Sequence, residues 1–326
     1  MRDRRFGSPE DKSSGRRDAP AAVFHNHGRY LRPYTNRGSA YFGILSRRLF
    51  RDSSKRGRFR KPDELEIVLC HNYDSKPIAV QSLDYLGIRD YVELGRDVQP
   101  WTNRAKIALV LDHLERGCNA EYVLFLDAID VILTADPARM LRCFREEFDC
   151  GVLFNASKDS FPGSAERQTA VLGYLQQPGG RNNPHNVEVV SESDIGKCAS
   201  AEAFEVANYE GPFCHFNAGC YIGRRDDVVA MLREAKSLGP WFDTERYQSD
   251  DQGVLREVHR RNFPRCQIDS KCRIFQTLCN IELSELASEL PVTHFEECLY
   301  RLGAAARAFF GRLQFRVHEL WMARRS

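Results

Sequence analysis

The chain has 326 residues, 42% of them hydrophobic and 28% charged, with a formal net charge of +2. This composition excludes a wholly disordered chain, and no apolar run approaches the ~20 residues that span a bilayer. The 11 cysteines are odd in number and scattered without a Cys-x-x-Cys pair, which argues against a disulfide-stapled secreted fold and against a zinc framework.

Residues 1–62 carry 17 Lys and Arg against 5 Asp and Glu, leaving 30 against 40 for the remainder. The segment is rich in Arg, Ser, Gly and Pro and reads as a disordered basic tail. Its apolar patch Ala40-Tyr-Phe-Gly-Ile-Leu45, followed by Arg47 and Arg48, offers a membrane-surface or anionic contact as an alternative to a solvated tail. Nothing near the start has the apolar core of a secretory signal, and buried reduced thiols favour the cytoplasm.

Ordered structure is expected from about residue 63. Leu65–Cys70 reads as a first strand. A helix follows from a cap at Asn103 to about Arg116, with Ile107, Val110, Leu111 and Leu114 on one face. Tyr122-Val-Leu-Phe-Leu126 is apolar throughout, the pattern of a strand buried on both faces. Asp127 and Asp130 follow at once. Two carboxylates at a strand end cannot both be buried without a partner, and ligands of open α/β sheets bind in the crevice beyond the strand carboxyl ends. Asp136-Pro137 supplies an N-cap and a first-turn proline for a helix over 138–148. Gly151–Phe154 is another short strand, and 157–208 reads as a long loop region. Phe216–Gly223 restores order, with Asn217 and Gly219 placed at a strand start, where backbone can approach a ligand closely. A helix over 226–235 comes next, then Ser249-Asp-Asp-Gln252 opening a helix to about Arg261, and strand pieces near 265–268 and 273–276. Strands alternating with helices over 63–300 predict one α/β domain. Residues 301–326 have apolar positions at helical spacing with arginines between, an amphipathic helix that either docks on the domain or lies on a membrane surface.

An Asp pair spaced i, i+3 across a turn can direct two hard oxygens at Mg²⁺ or Mn²⁺, with a pyrophosphate filling other positions. Asp250 and Asp251, at a helix start, are either caps suited to the macrodipole or, in a cleft, hydrogen-bond acceptors or a general base.

Four segments in order give the chain a resemblance to the glycosyltransferase domain of the procollagen-lysine hydroxylase/collagen glucosyltransferase family and its free-standing relatives. These are Phe125-Leu-Asp-Ala-Ile-Asp-Val-Ile132 after Lys106, Phe216–Gly223, Ser249-Asp-Asp-Gln252, and Ile268-Asp-Ser-Lys-Cys-Arg-Ile-Phe-Gln276, with Pro291-Val-Thr-His294 beyond. The resemblance covers about 65–298. It implies a GT-A-like mixed sheet flanked by helices, binding a nucleotide sugar. It further implies Asp127, Asp130 and His294 as Mn²⁺ ligands, Asp250 and Asp251 as catalytic groups facing sugar or acceptor, and Lys106, Asn217 and Gly219 as donor-binding residues. The implied reaction moves sugar from a UDP-sugar to a hydroxyl acceptor, which can be a protein, a glycan or a lipid. The chain departs from the family at Phe295-Glu-Glu297, at Ile129 and over Gln99–Asn103. A GT-A-shaped binding protein without turnover is therefore carried as the alternative. A phosphohydrolase or nuclease acting on nucleic acid has no nucleophile motif to support it.

Overall fold

The computed structural model describes residues 23–26, 30–33, 59–74, 76–128, 131–133, 136–158, 160–161, 163, 192–239, 241, 251–277 and 321–323. In chain order these hold a hairpin of β1 (Val23–Asn26) and β2 (Tyr30–Pro33), then β3 (Leu65–Cys70), α1 (Ile78–Leu86), β4 (Val92–Leu94) and α2 (Ala105–Arg116). There follow β5 (Tyr122–Asp127), β6 (Val131–Leu133), α3 (Pro137–Glu147), β7 (Val152–Ser157), α4 (Glu192–Asn208) and β8 (His215–Arg224). The last are α5 (Arg225–Ser237), α6 (Gln252–Arg261), β9 (Cys266–Ile268), β10 (Phe275–Thr277) and β11 (Trp321–Ala323).

Six strands form one mixed sheet in the order β4-β3-β5-β8-β7-β9. β3 is parallel to β4 and β5, β8 runs antiparallel to β5 and β7, and β9 is parallel to β7. Strand parity divides the core in two, because successive side chains point to opposite faces. Val68, Val123, Phe125, Val152 and Phe154 pack with Val110 and Leu114 of α2, Leu232 of α5 and Val258 of α6. Leu65, Ile67, Leu69, Leu124, Leu126 and Leu153 pack instead with Val80 and Leu83 of α1 and Met140 and Phe144 of α3. Each fully buried Leu or Phe stabilises the fold by about 1.5–3 kcal/mol relative to exposure. Helices thus cover both faces, which is why the strands read as continuous apolar runs. The fold is α/β with a mixed sheet flanked by helices.

From β3 the chain first moves to β4 on one side, then crosses back to β5 on the other. The carboxyl ends of β3 and β5 therefore flank a topological switch point, with Cys70 and Asp127 as register partners there. Several local expectations are corrected. α2 starts at Ala105 with Arg104 at its N-cap and no side-chain cap bond, so Asn103 does not cap it, whereas Asp136 does accept from Ala138 N–H at 3.0 Å. The loop expected over 157–208 ends in the 17-residue helix α4. Its buried positions are Asp194, Cys198, Ala201 and Glu205, at helical spacing but polar or small, so hydrophobic periodicity could not reveal it. α1 and β4 were also without a clear sequence signal.

In the basic tail, β1 and β2 pair antiparallel, with Asn26 opposite Tyr30. Backbone order adjoining β3 reaches back to Phe59, whose N–H donates to Leu86 O at 2.9 Å, a few residues before the expected boundary. Residues 301–320 of the expected terminal helix lie outside the described residues, while Trp321–Ala323 is a strand parallel to β6 and antiparallel to β10. No helix among the described residues is long and apolar enough to cross a membrane. Eight of the nine described cysteines are buried and Cys214 is half-buried.

Candidate functional site

Asp127 is the last residue of β5 and shares strand parity with Val123 and Phe125, so it faces α2 and α6. Lys106 lies in the first turn of α2 and reaches the same point. Its Nζ is 2.7 Å from Asp127 Oδ1 and 3.1 Å from Asp251 Oδ2. A cation in the first turn of a helix opposes the macrodipole, and the two carboxylates offset that cost. Asp251 is the N-cap residue of α6 but makes no side-chain cap bond. Its carboxylate serves Lys106 instead of the helix end.

The three side chains are largely withdrawn from water: Lys106 is 10% exposed, Asp127 22% and Asp251 9%. Burial pulls the Lys106 ammonium down, yet Asp127 and Asp251 hold it well above its ordinary pKa. Burial pushes the Asp127 carboxyl up; Lys106 opposes this and the like charge of Asp251 adds to it, leaving the group above its ordinary range. With Lys106 charged and both carboxylates ionised, the cluster carries one net negative charge. A divalent cation bound beside such a cluster would present net positive charge to a phosphate.

The strand beside Asp127 is irregular. β8 pairs with β5 up to Leu126↔Cys220. Against β7 its register jumps from Phe154↔Tyr221 to Asn155↔Asn217. Residues 218–220 thus form a bulge beside Asp127, the kind of irregularity that re-aims side chains next to binding sites. Gly219 lies inside β8, not at a strand start as the sequence implied, and its N–H donates to Asn217 Oδ1 at 2.6 Å. Gln252 fastens the bulge to its surroundings: its Oε1 accepts from Ala218 N–H at 3.4 Å and its Nε2 donates to Phe161 O at 2.7 Å.

Asn155 and Asn217 are both buried, and neither Nδ2 has an acceptor among the described residues. A buried donor left unsatisfied costs about 1–3 kcal/mol, so the two amides in register can each donate to an oxygen acceptor. Asn155 was not singled out from the sequence. Its signal is an amide inside an otherwise apolar strand, Val152–Ser157.

Cys70 and Tyr221 complete the surroundings and were also missed. Burial pushes the Cys70 thiol far up despite the nearby Lys106 charge, so it is a neutral packing group and not a thiolate nucleophile. Burial likewise keeps the Tyr221 phenol neutral, and its ring stacks on Phe125 at 4.8 Å and 12°.

Of the residues singled out by sequence, Lys106, Asp127 and Asp251 therefore meet directly, with Asn217 at the edge of the adjoining bulge and Gly219 within it. Asp130, Asp250 and His294 lie outside the described residues, as do Ile129 and Phe295–Glu297. A surface groove of about 720 Å³ bordered by Arg60, Glu64, Leu141 and Arg142 lies at the opposite, amino-terminal end of β3 and contains none of these residues. Neither a scan against protein-family models nor a search of curated proteins gives a match.

Proposed function

We propose that the chain is a metal-dependent glycosyltransferase that moves sugar from a UDP-sugar to a hydroxyl acceptor, on a GT-A-like mixed sheet. The observation that carries this reading is the meeting of Lys106, Asp127 and Asp251 at the switch point of the sheet. These residues come from three segments far apart in sequence, and each belongs to one of the motifs on which the family resemblance rests. Support also comes from the Nδ2 atoms of Asn155 and Asn217, which have no partner among the described residues and offer hydrogen bonds to a ligand rich in oxygen.

The ligands this reading calls for, two carboxylates and an imidazole, are a set that suits a hard divalent cation. Asp127 uses Oδ1 for Lys106, which leaves Oδ2 for a metal, with Asp130 and His294 as the further ligands the resemblance implies. When bound there, Mn²⁺ supplies electrophilic stabilisation of the leaving diphosphate. Lys106 adds positive charge near the phosphates and holds Asp127 and Asp251 in place. Asp251 gives one carboxylate oxygen to Lys106 and keeps Oδ1 to accept from a sugar or acceptor hydroxyl. Asp250, which precedes it in sequence, is the second catalytic group the resemblance implies. Asn217 and the bulge at Gly219 line the donor side.

The test is UDP release from a panel of UDP-sugars by the purified protein with Mn²⁺, repeated with Asp127→Ala. Metal-dependent release that the variant loses is the expected result. Absence of both release and UDP binding by calorimetry in a folded protein would overturn the enzyme reading. It would favour the alternative of a binding protein of the same shape, in which Lys106 already satisfies both carboxylates.

A further inference from the structure

A second group of metal-ligating side chains lies at the other end of the sheet and is independent of the proposed transferase activity. Glu66 shares strand parity with Val68 and Cys70, so it projects toward α2 from a strand that is otherwise apolar. His113, in the last turn of α2, meets it: His113 Nε2 and Glu66 Oε1 are 3.1 Å apart. Cys118 follows in the turn between α2 and β5. One ligand atom from each of the three lies within 4.8 Å of the others.

We propose that Glu66, His113 and Cys118 form a binding site for Zn²⁺ or a similar borderline-soft divalent ion. The donor set is carboxylate oxygen, imidazole nitrogen and sulfur, all ordinary zinc ligands. With the thiol deprotonated by the metal, Glu66 and Cys118 supply two negative charges and the site becomes neutral overall. Adjacent nitrogen and oxygen donors in a tetrahedral zinc site stand about 3.3 Å apart, close to the spacing already present between His113 and Glu66.

The surroundings hold the ligands in position. Arg225 Nη1 donates to Cys118 O at 2.8 Å, and Arg225 N–H donates to Glu121 O at 2.8 Å, which fixes the turn that carries the sulfur. Burial pushes the Cys118 thiol up, and a hydrogen bond from the Ala120 backbone N–H to the sulfur works in the opposite direction. Such an N–H favours the thiolate, the form that binds metal. Glu66 and His113 keep 19% and 23% of their side-chain surface exposed, which gives an ion a path in and leaves the fourth position to water. Glu66 precedes Cys70 by four residues, so this site lies ~13 Å along β3 from the Asp127 end.

The experiment uses Co²⁺ and Zn²⁺ as probes on the full chain. One equivalent of Co²⁺ is expected to give a near-ultraviolet thiolate-to-cobalt band and intense visible bands of a tetrahedral ion, both displaced by Zn²⁺. Cys118→Ser should lose the thiolate band, and Asp127→Ala should keep it. His113→Gln and Glu66→Gln, at half-buried positions that tolerate change, should weaken Zn²⁺ binding by at least about tenfold with unchanged far-ultraviolet circular dichroism. No thiolate band in the wild-type chain, or a band retained in Cys118→Ser, would overturn the site and leave an ordinary Glu–His hydrogen bond beside a buried thiol.

Discussion

Removing the Lys106 ammonium would leave Asp127 and Asp251 facing each other without a counter-charge in a site that excludes most water. Breaking a buried ion pair from one side costs about 3–5 kcal/mol, because the remaining charge stays desolvated. The residual exposure of Asp127 places Lys106→Met at the lower end of that range, to be read from urea unfolding at pH 7. The same variant tests the metal reading without any turnover. If a divalent cation can bind beside Asp127, Mn²⁺ should raise the melting temperature of Lys106→Met more than that of the wild type, since the ion supplies the missing positive charge. An equal shift in both proteins would argue against that position. Sequence made Lys106, Asp127 and Asp251 visible one at a time, as a helix residue, a strand-end carboxylate and a helix-start carboxylate. It could not show that the lysine bridges the two acids, since that contact depends on how α2, β5 and α6 pack.

At the scale of elements, two glycines separate the effects of space and backbone. A Cβ on Gly223 of β8 would stand 2.7 Å from Gly151 O and 2.9 Å from Val228 Cγ2, so Gly223→Ala must push a backbone carbonyl or a strand aside. Overpacking of this kind costs about 1–3 kcal/mol. Gly196 lies inside α4 with nothing within 4 Å of its Cβ position, and there alanine is the better helix former. Gly196→Ala should stabilise by up to ~1 kcal/mol. Chemical denaturation of the two variants should move the midpoint in opposite directions, and a loss in both would contradict the open surroundings of Gly196. α4 itself is fastened by polar contacts instead of an apolar stripe. Glu205 accepts from Arg256 Nε and Nη2, both at 2.6 Å, pairs with His215 Nδ1 at 2.9 Å, and accepts from Phe216 N–H at 3.2 Å. One buried carboxylate thereby joins α4, β8 and α6.

For the molecule as a whole, two buried groups set the response to acid in separate windows. Tyr209 accepts from Ile268 N–H and shares a 2.7 Å hydrogen bond with His259 Nε2. The other ring nitrogen of His259, Nδ1, has no partner among the described residues. Burial brings the His259 pKa down to about 4, so the folded chain holds this ring neutral. The unfolded chain takes up the proton near pH 6.5, and stability falls as pH drops from about 6.5 to about 4, by about 3 kcal/mol in total. Glu205 acts lower. Burial pushes its carboxyl up, but Arg256 and His215 hold it below its ordinary value, so its contribution is present above about pH 4.5 and is lost as pH falls through its folded value. Urea unfolding at pH 7 and pH 5 should show a loss of about 2 kcal/mol in the wild type that is largely absent in His259→Gln. An undiminished loss in the variant would assign the titration to another group.

The apolar run of Leu65–Cys70, broken only at Glu66, and the unbroken run Tyr122–Leu126 were enough to determine an α/β sheet covered on both faces, because burial of a strand depends on its own side chains. The same local logic marked Asp127, a carboxylate that has to find a partner where its strand ends, and Asp136-Pro137, which starts α3. What the tertiary structure alone decided was which ends meet. The return of the chain past β3 to β5 created the switch point. The bulge in β8 set Gly219 beside Asp127, and the packing of α2 and α6 on one face brought Lys106 between two carboxylates. Those relations join residues up to 145 positions apart, and no local pattern encodes them, since the energy that fixes them comes from contacts made only when the helices close over the sheet.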